Sequence, residues 1–145
     1  MDPYASGMIK KSSYAQKKVI KGKLVVILDG TISKRGLNLI TPPSRAIKKN
    51  EIHEVIVTEE EAAAPGKIVN SIAYICFFEV EEGGVIVVED EVYIGTKLIG
   101  KIIGFDDTHM PNHQNIILYA SKKKTGVELK INLDEKIVFK KNNKQ

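Results

Sequence analysis

Short, β-branched apolar runs separated by turn residues recur along the whole chain. Residues 19–28 (VIKGKLVVIL) are the first run, and Asp29-Gly30 follows it. Asp-Gly favours a tight turn, so a hairpin through residues 31–33 is predicted. Lys34-Arg35-Gly36 marks a second turn, and residues 37–40 form a short strand. Thr41-Pro42-Pro43 stops it, because neither proline donates to a ladder. Residues 44–50 read as one helical turn with Ser44 as its N-cap. Residues 52–58 (IHEVIVT) alternate and are β-branched. Residues 59–64 (EEEAAA) favour helix but are too few to hold one, and Pro65-Gly66 ends them.

The longest apolar stretch, residues 68–80 (IVNSIAYICFFEV), is rich in Val, Ile, Tyr and Phe. It reads as a central strand with a bend near Asn70-Ser71. Gly83-Gly84 is a turn. Residues 85–88, 92–94 and 97–105 follow as strands, with Gly95 and Gly100 placed to allow bends or bulges. Residues 115–120 form another strand, and Lys122-Lys123-Lys124-Thr125-Gly126 reads as a hairpin loop. Residues 127–133 alternate, with Val127, Leu129, Ile131 and Leu133 on one face, and residues 137–139 are the last strand. Many short strands with frequent turn signals imply an all-β chain. The expected form is a single small β-barrel, closed or partly open, with short helical turns. Residues 1–18 read as a basic N-terminal arm, residues 19–140 as the barrel domain and residues 141–145 as a C-terminal tail.

Composition narrows the classes. A chain of 145 residues that is 43% hydrophobic supports one cored domain. A single cysteine, Cys76, excludes an internal disulfide framework and any Cys-rich zinc module. It lies in the most apolar stretch and reads as a buried, inert thiol. No apolar run approaches the roughly 18 residues that span a bilayer, and the N-terminus lacks an apolar signal region. A cytoplasmic protein with no membrane partner is expected. Net charge is +9 over residues 1–50, −10 over residues 51–91 and +5 over residues 121–145. The basic segments admit a nucleic-acid surface on Lys10, Lys11, Lys17, Lys18 and Lys122 to Lys124. Only Tyr14 and Tyr119 supply the aromatic interleaving that such a surface uses, so nucleic acid is not the expected partner. Lysine outnumbers arginine twenty to two, and isoleucine is also twenty. That bias fits a thermophile or an AT-rich genome.

Residues 92–118 (VYIGTKLIGKIIGFDDTHMPNHQNIIL) carry a resemblance through Gly100-Lys101-Ile102 and Pro111. They are similar to small six-stranded barrels of the translation-factor and RNA-protein type, which implies a barrel. They depart from the RNA-binding versions, because Asp106, Asp107 and two histidines replace an apolar loop. Residues 104–113 (GFDDTHMPNH) resemble the signature of a small family of uncharacterised prokaryotic proteins, which implies no activity.

That loop is the candidate site. Asp106, Asp107, His109, Asn112 and His113 fall within eight residues, and Pro111 restrains the backbone. A restrained polar loop between strands is where a small polar ligand is expected. His109, His113 and Asp107 are the candidate ligands of a divalent transition metal, with His53 as a further donor. Alternatively Asp106 or Asp107 orients a histidine as general base. The same carboxylates also suit loop closure through Asx turns. Glu59, Glu60 and Glu61 read as a solvated run that can meet a cation with Glu81 and Glu82. The reading is a ligand- or metal-binding barrel, whether a small enzyme or an accessory subunit. A nucleic-acid module and a homo-oligomer paired through a barrel edge remain alternatives.

Overall fold

The computed structural model describes residues 19–142, so the expected arm and most of the tail lie outside the described residues. So do Lys10, Lys11, Tyr14, Lys17 and Lys18. The strands are β1 (Ile20–Ile27), β2 (Thr31–Ile32), β3 (Leu37–Asn38), β4 (Ser44–Ile47), β5 (Ile52–Thr58), β6 (Ile68–Val69), β7 (Ile72–Glu82), β8 (Gly84–Val87), β9 (Glu91–Ile94), β10 (Lys97–Asp106), β11 (Asn115–Tyr119) and β12 (Lys136–Lys140). No described residue is helical.

Seven strands pair in the order β1-β12-β9-β10-β11-β5-β7, and β7 returns to pair with β1. The sheet is therefore a closed ring with one parallel pair, β5 with β11. Ring closure depends on β1, which is gripped on both sides. Its Gly22 lies opposite Ile137 of β12 and Val80 of β7. A Cβ there would stand 2.6 Å from the Glu79 carbonyl oxygen and 2.8 Å from the Phe78 ring. Only glycine lets the strands approach this closely.

One core cluster draws residues from all seven ring strands, among them Leu24, Val55, Phe78, Ile94, Ile102, Ile116 and Phe139. Phe78 and Phe139 meet at its centre with ring centroids 5.4 Å apart. A second cluster of Leu37, Leu39, Ile56, Ala63, Val69, Ile72 and Ile117 lies on the other face of β5 and β11. It is covered by β3 and β6, which pair with each other. Side chains alternate along a strand, so Val55 and Val57 enter one core and Ile56 the other. Strands buried on both faces read as continuous apolar runs, as residues 115–120 do, and residues 53–58 are buried on both faces as well, so the alternation expected of residues 52–58 is not their burial pattern.

Four local expectations are corrected. Residues 44–50 form no helical turn, because Ser44–Ile47 pairs antiparallel with β8. That pairing satisfies backbone groups that a single helical turn would leave open. Residues 59–64 stay non-helical, as their shortness predicts, and make one turn, Ala63 N–H donating to Glu60 O at 3.1 Å. Asp29-Gly30 does not fold β2 back onto β1. The chain kinks at Gly30 (φ +115°) and continues along β7, with Thr31 opposite Ala73. Residues 127–133 are turns, not a strand. Thr125 Oγ1 accepts the Glu128 N–H at 3.1 Å while Glu128 Oε1 accepts the Thr125 N–H at 2.9 Å. This reciprocal capping box starts a turn, and Lys130 leaves it with φ +58°. Ile131 is buried, whereas Val127 and Leu133 are exposed. Without a strand after it, the Lys122–Gly126 segment is not a hairpin loop. The expected bend at Asn70-Ser71 is the break between β6 and β7, and a bulge lies between Leu98 and Gly100.

Candidate functional site

The polar loop joins the end of β10 to the start of β11. Asp106 closes it. Its Oδ2 accepts the Asn38 N–H at 3.1 Å, and its Oδ1 accepts the Thr108 N–H at 2.9 Å and Asn115 Nδ2–H at 3.1 Å. The Thr108 bond is an Asx turn, and the other two tie the loop to β3 and β11. Asp107 is held as firmly. Its Oδ2 takes Arg45 Nη2 at 2.9 Å, and its Oδ1 takes Gln114 Nε2 at 2.6 Å. Beyond it the His109 carbonyl accepts the N–H groups of Asn112 (2.9 Å) and His113 (3.2 Å). One tight turn containing the cis Met110–Pro111 peptide thus stacks the two rings, centroids 4.9 Å apart. Asn112 is exposed on that turn.

Beneath the rings a row of side chains crosses four strands on one face. Asp106 pairs with Asn115, Asn115 with Glu54, and Glu54 with Phe77. This is the face opposite the ring's core, since the neighbouring Phe105, Ile116, Val55 and Phe78 belong to that core. His113 settles over the row. Its Nε2 is 3.3 Å from Glu54 Oε1, and its ring meets Phe77 edge-on at 5.1 Å. Glu54 is only 5% exposed. Burial pushes its carboxyl above the usual carboxylate range, against the pull of His109 and Arg35. Burial also pushes the His113 imidazole below its ordinary value, with the Asn115 side chain opposing. The two proton affinities therefore approach each other across a single contact.

Asn115 is 1% exposed, and its Nδ2 is engaged by Asp106. Its Oδ1 is buried and makes no hydrogen bond of full geometry, although the His113 imidazole is near enough for the Asn115 side chain to favour its protonated form. A buried amide oxygen in that state costs about 1–3 kcal/mol, so its position calls for an explanation. Arg35 stands at the far end of the same face. Its Nε donates to Tyr74 Oη at 3.2 Å, and Tyr74 lies opposite Ile56 of β5.

The structure brings His109 and His113 together but turns both aspartates elsewhere. His53 points to the other face, toward Phe78. Its Nδ1 accepts the Gln114 N–H at 2.9 Å, which leaves its ring proton on Nε2, 3.1 Å from Glu51 Oε1. Among the described residues no three His, Cys, Asp or Glu side chains form a group that could hold a metal ion. Glu54, Asn115, Arg35 and Tyr74 were not evident as site residues in the sequence. The available signal was a carboxylate inside an otherwise apolar strand, and an arginine in a chain that otherwise uses lysine.

Other candidates resolve into structure. Cys76 is fully buried, and desolvation with the nearby Glu54 charge raises its thiol well above the ordinary range. Glu59 and Glu60 accept backbone N–H groups from Lys123, Asn70 and Ser71. Glu81 pairs with Lys136 at 2.8 Å. Lys123 donates through Nζ to Ser71 Oγ. A cleft of about 550 Å³ is lined by Lys21, Lys23, Lys49 and Lys136, but Glu79, Glu81 and Glu82 line it too.

Fold and cluster together define an all-β protein with a histidine–carboxylate contact on the outer face of a strand ring. Residues 14–140 match the model of a family of unknown function, DUF6917, and the chain belongs to that family. No curated protein and no solved structure matches it. No helix among the described residues is long and apolar enough to cross a membrane.

Proposed function

We propose that the chain is a closed β-barrel that binds a small polar ligand on its outer face, where the loop after β10 overhangs β5. His109, His113, Glu54 and Asn115 make the contacts. Asp106 and Asp107 hold the loop in place, and Asn112 lies at its exposed rim. The observation that carries this reading is the buried Asn115 Oδ1, which has no protein partner of full hydrogen-bond geometry and is set beside a buried carboxylate and two adjacent imidazoles. A hydrogen-bond donor on a ligand would satisfy that oxygen. The loop is already tied at Asn38, Arg45, Gln114 and Asn115, so binding would demand little further ordering.

A thermal-shift screen of small polar compounds and divalent metals tests this reading. The expected result is a compound that raises the melting temperature of the wild-type chain but not of His109→Ala and Glu54→Gln variants. Protection that persists in both variants would place the ligand elsewhere and overturn the assignment.

A further inference from the structure

Arg35 and Glu54 carry opposite charges on one face of the sheet yet do not close to an ion pair. Glu54 is held by His113 and Arg35 by Tyr74, although Arg35 is near enough to favour the Glu54 carboxylate. The position of Arg35 is built. Its N–H donates to Asn70 O at 3.0 Å, and the Gly36 N–H donates to Asn70 Oδ1 at 3.1 Å. Asn70 is itself fixed through its N–H to Glu60 Oε2 at 3.0 Å. The Tyr74 bond consumes Nε and orients the guanidinium, so its terminal N–H groups form a planar fork that suits a carboxylate.

Residue choice supports a directional role. The chain uses lysine twenty times and arginine twice. The other arginine, Arg45, also acts through directed hydrogen bonding, reaching Asp107 at 2.9 Å. A lysine would supply charge at position 35 but no fork. At the opposite end, Glu54 and the Asn115 Oδ1 are acceptors. The face therefore presents donors at one end and acceptors at the other, with strands about 4.8 Å apart setting the span.

We propose that the ligand is a short zwitterion of the amino-acid type, its carboxylate on the Arg35 fork and its ammonium on Glu54 and Asn115 Oδ1. This rests on the outer-face binding reading above and names its ligand class.

Calorimetric titration of the full chain with glycine, β-alanine and 4-aminobutanoate tests it. At least one should bind, and butanoate and n-butylamine, which each lack one charged end, should bind at least about tenfold more weakly. Arg35→Lys should lower affinity for the best zwitterion by about tenfold or more while lowering the melting temperature by only about a few degrees through the lost Tyr74 bond. If Arg35 only balances the Glu54 charge, the lysine variant will bind as the wild type does, and the proposal falls. It also falls if no member of the series binds at about 10 mM. Should an uncharged or anionic compound still protect the chain in the thermal screen through His109 and Glu54, the binding face stands and only the ligand class is overturned.

Discussion

His113 Nε2 lies 3.3 Å from Glu54 Oε1, and burial moves the proton affinities of these two groups toward each other. A carboxyl raised from 4.5 and an imidazole lowered from 6.5 both favour their neutral forms. Burial thus opposes a His113–Glu54 ion pair, while His109 and Arg35 favour the Glu54 carboxylate.

The pH dependence of stability follows from those directions. Glu54 is raised in the folded state, so its contribution is fully present below about pH 4.5 and is lost as pH climbs through its folded value. His113 is lowered, so its contribution is present above about pH 6.5 and is lost as pH falls through its folded value. Glu54→Gln removes only the first dependence. Its melting temperature relative to wild type should rise with pH above about 4.5. A difference that stays constant between pH 4 and 8 would contradict the direction of the shift.

Asp106 and His109 should separate structure from binding. Asp106→Ala strands the Asn38, Thr108 and Asn115 donors and should cost about 3 kcal/mol in urea denaturation. His109 is exposed and should cost less than about 0.5 kcal/mol as alanine. If His109→Ala destabilises as much as Asp106→Ala, the imidazole pair is itself a structural clasp.

Ring closure has its own test. Gly22→Ala places a methyl group against the Glu79 carbonyl oxygen and the Phe78 ring, where β1 is paired on both sides. Overpacking of this kind should cost about 1–3 kcal/mol and speed amide exchange in β1. Unchanged exchange protection would mean that β1 does not need the close approach.

Strand placement was legible where apolar β-branched runs met turn residues, as in residues 52–58 and 97–105. It failed where local pattern and tertiary pairing disagreed. Residues 44–47 have no strand-like alternation, but the edge of β8 recruits them. Residues 127–133 do alternate, but Thr125 and Glu128 cap a turn there, and the T-x-x-E spacing was the overlooked signal. Thr125→Ala should accordingly cost about 1 kcal/mol by chemical denaturation, and a neutral result would remove the box as the cause.

The loop residues of the cluster were legible because they are close in sequence. Glu54 and Asn115 were not, because their adjacency arises from the parallel pairing of β5 with β11, strands that neighbour in the ring but lie far apart in sequence. The two aspartates looked like chemistry in the sequence. In the fold they spend their oxygens on Asn38, Thr108, Asn115, Arg45 and Gln114.

The central claim is that a ligand sits on the outer face against His113 and His109. The chain has three histidines, so their ring carbon–proton signals give three resolvable probes in a nuclear magnetic resonance titration. His53 faces Phe78 on the opposite side of the sheet and touches the loop only through the Gln114 N–H, so it reports indirect effects alone. On titration with the compound that protects the chain thermally, the His109 and His113 signals should move together and saturate while His53 moves far less. Saturation of binding with both loop signals unmoved would contradict the account.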